Sequence, residues 1–188
     1  MKIQRILAGL WTVASAGLVF AQPVEPFGAC PSPAQVAWHE MEVNGFFHFT
    51  TNTFTDREWG NGDEPESVFN PTALDCRQWA KVAKDCGMKG MILTAKHHDG
   101  FCLWDSKVSK YDVMDASPFK RDIVKELADA CAAEGVTLSF YHSIMDWHHP
   151  DYLPRRGWEE AARPVGDADM DRYVRYLFGQ VTELLTKY

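Results

Sequence analysis

Three short apolar runs recur along the chain, and segments of helical periodicity separate them. The runs are VNGFFHFT (residues 43–50), KGMILTAK (89–96) and VTLSFYHS (136–143). Their apolar residues stand next to one another instead of at every second position, which is typical of strands that are covered on both faces. The pattern therefore predicts three strands of a parallel sheet.

Each predicted helix has a polar residue at its start and an apolar stripe along one face. The first begins at Asp75 and ends at Gly87, the second begins near Ser117-Pro118 and ends at Gly135, and the third begins near Asp169. The stripes consist of Trp79, Val82, Ala83 and Cys86; of Ile123, Leu127, Ala130 and Cys131; and of Tyr173, Val174, Leu177, Val181 and Leu184.

The loops after the strands are long, and those after the helices are short. This asymmetry is typical of a (β/α)8 barrel, an α/β fold whose active site lies on the loops that follow the strands. Such a barrel has eight units and about 250 residues. We predict that residues 43–188 hold its first three or so units, a truncated N-terminal part of a catalytic domain. Residues 22–42 form an entry segment whose Pro-rich start, QPVEPFGACPSP, is irregular.

Polar side chains stand where each predicted strand ends. His48 ends the first run, His97 and His98 follow the second, and Tyr141 and His142 end the third. Because the carboxyl ends of parallel strands share one edge of a sheet, we expect these groups to converge. Imidazole and phenol groups at such an edge favour a polyhydroxylated or charged ligand.

Charge and the first residues of the chain narrow the functional classes. A formal net charge of −7 over 188 residues argues against a nucleic-acid partner. Lys2 and Arg5 precede an apolar stretch at residues 6–20, which predicts a signal peptide over residues 1–21, cleaved after Ala21. The apolar stretch is shorter than the roughly 20 residues of a membrane span. We expect a secreted or periplasmic protein without stable membrane insertion after cleavage; a membrane anchor is the alternative.

Five cysteines are present, an odd number without any CxxC pair. This arrangement signals neither a zinc site nor a complete disulfide framework. Cys76, Cys86 and Cys131 lie in helical patterns, where we expect buried free thiols.

Three segments resemble one enzyme family. GFFHFTTNTFTDREWGNG, FNPTALDCRQWAKVAKDCGMKGMILTAKHHDGFCLWDSKVSKYDV and LSFYHSIMDWHH are similar, in order and spacing, to the N-terminal half of the catalytic domain of the α-L-fucosidases of glycoside hydrolase family 29. The resemblance implies a retaining exoglycosidase on a barrel-like fold that uses no cofactor or metal. It also implies that the partner is a fucosylated oligosaccharide or glycoconjugate.

The resemblance assigns fucose-binding roles to particular residues. They are His48, Glu58, Trp59, His97, His98 and Tyr141. The TNTFTDREWGNG loop resembles the branch that acts on α-1,3/1,4-linked fucose. The family's nucleophile and acid/base carboxylates would lie beyond Tyr188, so the resemblance assigns no catalytic role to any residue of this chain.

Other interpretations of the same residues stay open at this point. The chain could be a non-catalytic fucose-binding fragment, or a metal-dependent hydrolase that uses His97 or His98, although neighbouring strand residues point to opposite faces. The three histidines could also be core residues, and Glu58 a solvated loop charge. Asp99 could be an acid or base, but its position before Gly100 equally fits a turn former, which we favour. Trp104, Trp147 and the pair His148-His149 could either line an outer subsite or pack the loops.

Overall fold

The computed structural model describes residues 24–156, 159 and 164–188. Four α-helices lie wholly within this part of the chain: α1 (Pro33–Glu40), α2 (Cys76–Asp85), α3 (Ile123–Glu134) and α4 (Met170–Lys187). The three strands are β1 (Asn44–Phe47), β2 (Gly90–Lys96) and β3 (Thr137–His142). Strands and helices alternate after α1, as the hydrophobic pattern predicts.

The three strands form one parallel sheet in the order β1-β2-β3. β2 lies in the middle and is almost entirely buried, with Met91, Leu93 and Ala95 wholly inaccessible. β1 and β3 have no second neighbour among the described residues. The predicted α/β class with a parallel sheet is therefore confirmed, and the carboxyl ends of all three strands lie at the same edge.

Helix ends follow the capping residues. The Asp75 carboxylate accepts hydrogen bonds from the first backbone N–H groups of α2, and Asp169 does the same for α4. Gly87 and Gly135, at φ 77° and 70°, end α2 and α3 in the left-handed region that glycine adopts freely.

The predicted start of the second helix near Ser117-Pro118 is wrong. The Ser117 hydroxyl donates to Val113 O and accepts from Phe119 N, which forms a separate turn. Lys120 then adopts φ 54°, a conformation that no helix contains. Asp122 is the true N-cap, and its carboxylate accepts from Lys125 N.

The predicted apolar face of α2 is partly wrong. Cys76, Ala80 and Ala83 are buried, whereas Val82 is 49% exposed and Cys86 is exposed as well. The buried face is rotated by about one residue because α2 packs its small side chains against α3. Of the cysteines expected to be buried free thiols, Cys76 and Cys131 are buried and Cys86 is not.

Within the entry segment over residues 22–42, the Pro-rich start has no regular structure at residues 24–32, and α1 follows it, a helix that the hydrophobic pattern does not predict. Ser32 and Gln35 form a reciprocal capping box, and Pro33 occupies the first helical turn. The helix buries none of its own residues. The predicted signal peptide lies outside the described residues. Among the residues that the structure describes, no helix is long and apolar enough to cross a lipid bilayer.

A polypeptide limited to residues 22–188 is expected to self-associate. In the described part of the chain both outer strands have an open edge, and Ile144, Phe178 and Leu185 are 72%, 67% and 75% exposed. Sedimentation velocity should show oligomers, and Phe178→Lys with Leu185→Lys should reduce them. Val82→Lys, at a half-exposed position of α2, serves as the control. A monomer with a cooperative melt would contradict the expectation.

Candidate active site

Side chains from all three strand ends meet above the sheet. The ring centroids of His48 and His97 lie 5.8 Å apart, those of His97 and His98 4.4 Å, and those of His97 and Tyr141 6.2 Å. The predicted convergence is confirmed for these four residues. His97 and His98 share one side of the sheet because β2 ends at Lys96, so the strand alternation no longer applies to them.

His142 does not join this cluster, contrary to the prediction. Its Nε2 lies 3.1 Å from Gln180 Oε1 of α4, and its ring lies 6.1 Å from that of Trp104. Since successive side chains of a strand alternate in direction, Tyr141 and His142 cannot both face the same cleft. His142 is therefore a packing residue between β3 and α4.

Thr94 holds the ring of His48. The Thr94 hydroxyl lies 3.2 Å from His48 Nδ1, and the Phe46 ring lies 4.4 Å from the imidazole. Thr94 itself is completely buried in β2. The contact fixes an otherwise exposed imidazole, with Nε2 left for a ligand. Sequence reasoning missed this role, although a threonine within an apolar strand was its visible signal.

Ser143 fixes the tautomer of His98. The Ser143 hydroxyl donates its single hydrogen to Met145 O at 2.7 Å, so its oxygen accepts from His98 Nδ1–H at 2.6 Å. His98 Nε2 is consequently left with a lone pair. Burial, followed by the positive charges of Arg156 and Lys96, lowers the pKa of His98. A neutral imidazole in this tautomer can accept a hydrogen bond from a sugar hydroxyl.

His97 is the most buried member of the cluster. It is 8% exposed, and its Nδ1 has no hydrogen-bond partner among the described residues. Burial, together with His98 and His48, lowers its pKa to about 4. The lowered pKa keeps the buried His97 imidazole neutral at pH 7.

The cluster opens into a cleft of about 150 Å³ beside the loop after β1. Its lining consists of His48, Thr50, Asn52, Thr53, Arg57, Glu58 and His97. The structure thus brings Glu58 to the same cleft as two of the predicted histidines. Trp59 is 57% exposed and is not part of the lining.

The three loops after the strands hold one another. The His148 ring stacks on Tyr111 at 3.8 Å, and its Nδ1–H donates to Gly62 O at 2.9 Å. A Cβ on Gly62 would come within 2.4 Å of the backbone at Trp147. Trp104 and Trp147 are buried, which favours loop packing over an outer subsite for both tryptophans.

A buried ion pair fixes the loop after β3 to the end of β2. Lys96 Nζ lies 2.8 Å from Asp146 Oδ2, with side chains 0% and 1% exposed. Asp146 Oδ1 also accepts from the backbone N–H groups of His148 and His149. The same loop carries Trp147, whose ring lies 5.0 Å from that of His98. The ion pair therefore supports one wall of the histidine cluster.

Asp99 is the turn former that its position before Gly100 predicts, because Oδ1 accepts from Phe101 N at 2.8 Å. It is fully buried, and burial raises its pKa to about 6. Among the described residues, no group of three or more His, Cys, Asp or Glu side chains is arranged to hold a metal ion.

Stability is expected to fall as the pH falls from about 6.5 to about 4. Burial lowers the pKa values of His97 and His142 to about 4, so the unfolded chain takes up these protons first. Burial raises the pKa of Asp99 to about 6, so the folded state takes up this proton first and gains stability as the pH falls from about 6 to 3.8. The two histidines together outweigh this single carboxyl group.

This expectation is tested by measuring the urea midpoint of unfolding between pH 7.5 and 4.5. The protein used is the complete gene product. His142→Gln keeps an N–H donor for Gln180 but takes up no proton, so it should flatten the dependence. An unchanged slope in this variant would contradict the assignment to His142.

Comparison with known proteins decides the family. The family model described as alpha-L-fucosidase matches residues 21–188. The chain belongs to the α-L-fucosidase family.

Relatives of this α-L-fucosidase chain include proteins of bacteria and plants. A crystal structure of a glycoside hydrolase 29 family member from an unknown rumen bacterium is 45% identical, with a TM-score of 0.76, over 87% of this chain and 27% of that one. The alpha-L-fucosidase isoenzyme 1 structure from Paenibacillus thiaminolyticus is 39% identical, with a TM-score of 0.72, over 81% and 40%. Alpha-L-fucosidase 1 of Arabidopsis thaliana is 41% identical over 87% of this chain and 30% of its own length. The chain thus spans between about a quarter and two fifths of these relatives.

Proposed function

We propose that the complete gene product is an exo-acting, retaining glycosidase that releases terminal α-L-fucose from glycans. Residues 43–188 supply the sugar-binding wall of its active site and the first three or so units of a (β/α)8 barrel. One observation carries the proposal: His48, His97, His98 and Tyr141 converge from three strand ends in a chain of the α-L-fucosidase family.

The chemistry of the cluster suits a deoxy sugar with several hydroxyl groups. His98 Nε2 offers an acceptor, and the imidazoles of His48 and His97 line the adjoining cleft. Glu58 in the cleft can accept hydrogen bonds from two neighbouring hydroxyl groups. The exposed rings of Phe46 and Trp59 offer apolar faces for the sugar's methyl group.

Two buried carboxylates near the cluster are already committed to other contacts. Asp99 accepts three hydrogen bonds, and Asp146 is paired with Lys96. A retaining glycosidase needs two carboxyl groups about 5–5.5 Å apart, one of them free to attack the sugar. By the family resemblance, we assign the nucleophile and the acid/base to strands that follow β3.

The proposal extends to location and linkage. The basic and apolar residues at positions 1–21 support export to the periplasm or the outside. The loop TNTFTDREWGNG, which carries Glu58 and Trp59, supports α-1,3/1,4-linked fucose in branched glycans as the substrate.

The test is hydrolysis of 4-nitrophenyl α-L-fucoside by the complete gene product, with the β-D-galactoside as control. Turnover of the fucoside alone supports the proposal, and α-1,2- and α-1,3/1,4-linked fucosyl oligosaccharides then decide the linkage. Binding of L-fucose without turnover would instead show that the gene product is a non-catalytic fucose-binding protein. Activity that is lost on exhaustive chelation and restored by zinc would instead show a metal-dependent hydrolase.

A further inference from the structure

The Asp99 carboxylate joins two walls of the cleft. Its Oδ1 accepts from Phe101 N at 2.8 Å and so closes the turn that follows His97 and His98. Its Oδ2 accepts from Thr51 Oγ1 at 3.2 Å and from Asn52 Nδ2 at 3.0 Å. Thr51 and Asn52 belong to the 3₁₀ turn after β1, directly behind His48. One fully buried side chain therefore links the corner after β2 to the loop after β1.

The link continues from Asn52 to the segment that carries Glu58. The backbone at Gly60 passes so close that a Cβ there would lie 2.5 Å from Asn52 Oδ1 and 2.7 Å from Glu64 Oε1. The Glu64 carboxylate in turn accepts from the backbone N–H groups of Asn61 and Gly62. Glu58 thus stands two residues before a backbone position that packs closely against Asn52, and Glu64 holds the two residues that follow Gly60.

We infer that Asp99 is a positioning residue for fucose binding, which sets the spacing between the His97-His98 corner and the loop that carries His48 and Glu58. The inference rests on the function proposed above. Asp99 touches no ligand itself; it acts through Thr51 and Asn52. An ionised carboxylate suits this task because it is an acceptor only and faces three donors.

The neighbouring amide makes asparagine a conservative replacement at this position. Asn52 Oδ1 is buried and has no hydrogen-bond partner among the described residues. In Asp99→Asn, the new Oδ1 keeps the bond from Phe101 N, and the new Nδ2–H can donate to Asn52 Oδ1 after that amide turns over. Asp99→Ala offers neither contact.

The experiment is a double-mutant cycle in the complete gene product, read as kcat/KM for 4-nitrophenyl α-L-fucoside and as Kd for L-fucose. Asp99→Ala and Asn52→Ala are each expected to weaken both by about 10- to 100-fold, since small misplacements of binding groups have effects of this size. The double variant should lose no more activity or affinity than the more impaired of the two single variants, because both substitutions break the same link. Asp99→Asn should recover most of the loss.

Asp112→Ala is the matched control. Asp112 is also fully buried and accepts two backbone N–H groups, from Met114 and Asp115, but it lies outside the cleft and its lining. It should lower the melting temperature without changing Kd for fucose when assayed well below that temperature.

If the wild type cleaves the fucoside, either of two results would overturn the inference. One is that the effects of Asp99→Ala and Asn52→Ala on Kd and kcat/KM add up in the double variant. The other is that Asp99→Ala and Asp112→Ala have equal effects on these constants. A wild type that neither cleaves nor binds fucose would instead overturn the proposed function, and the inference with it.

Discussion

Asp146→Ala is expected to destabilise the complete gene product by about 3–5 kcal/mol, the range for breaking a buried ion pair by removing one partner. The substitution leaves the Lys96 ammonium group inside the protein, where its side chain is 0% exposed. It also frees the backbone N–H groups of His148 and His149. Because Trp147 of the same loop packs on His98, activity should fall as well. Equilibrium urea unfolding gives the free energy directly.

Two variants make this result interpretable. Asp146→Asn keeps an oxygen for the two backbone donors and removes only the charge, so its loss should be smaller. Asp129→Ala breaks the exposed pair between Lys125 and Asp129, whose side chains are 56% and 67% exposed, and such pairs contribute about 0–1 kcal/mol. Equal losses of unfolding free energy in Asp146→Ala and Asp129→Ala would show that the buried ion pair stabilises the protein no more than an exposed one.

His98→Ala is expected to lower kcat/KM for an aryl α-L-fucoside by about 10- to 150-fold, with the melting temperature nearly unchanged. A hydrogen bond to a bound sugar in a closed site contributes about 1.5–3 kcal/mol, which corresponds to this factor. Ser143→Ala should give a smaller loss, because it releases the tautomer of His98 without removing the ring.

His142→Gln is the control for this prediction, since His142 ends the neighbouring strand but faces Gln180 in the opposite direction. It should leave kcat/KM within about twofold of the wild-type value, in line with a contact that is not made to the substrate. Wild-type kinetics in His98→Ala, with an intact melt, would identify His98 as a packing residue.

The sequence predicts the three strands and two of the three helix N-caps, because these features depend on local chemistry; the N-cap of α3 is the exception. The apolar run GMIL, between Gly87 and the polar residues at 97–99, is short enough for a buried strand, and Asp75 and Asp169 cap α2 and α4 as their positions suggest. Which face of α2 is buried depends less on local sequence and more on the neighbouring helix. Ala80 and Val82 are both apolar, and only the presence of α3 decides which of them is buried.

The candidate site shows the same division. That His97 and His98 stand at a strand end follows from the sequence, but that both rings share one side depends on where β2 stops. The partners of the two outer histidines, Thr94 and Ser143, come from the neighbouring strand and the next loop. Such contacts arise from the register between strands, which a single sequence does not reveal. The prediction also groups Tyr141 with His142, although successive side chains of a strand alternate in direction, and only Tyr141 joins the histidine cluster.

The mutual packing of the three loops has a consequence for engineering this scaffold towards new glycans. Gly62 and Gly100 lie at the crossings of these loops, with φ 84° and 86°, and added side chains there would meet Trp147, His148 or Asp146. Randomising whole loops would therefore yield mostly misfolded clones. Libraries confined to exposed positions such as Arg57, Trp59, Ile144 and Met145 should retain the framework while altering what the entrance accepts.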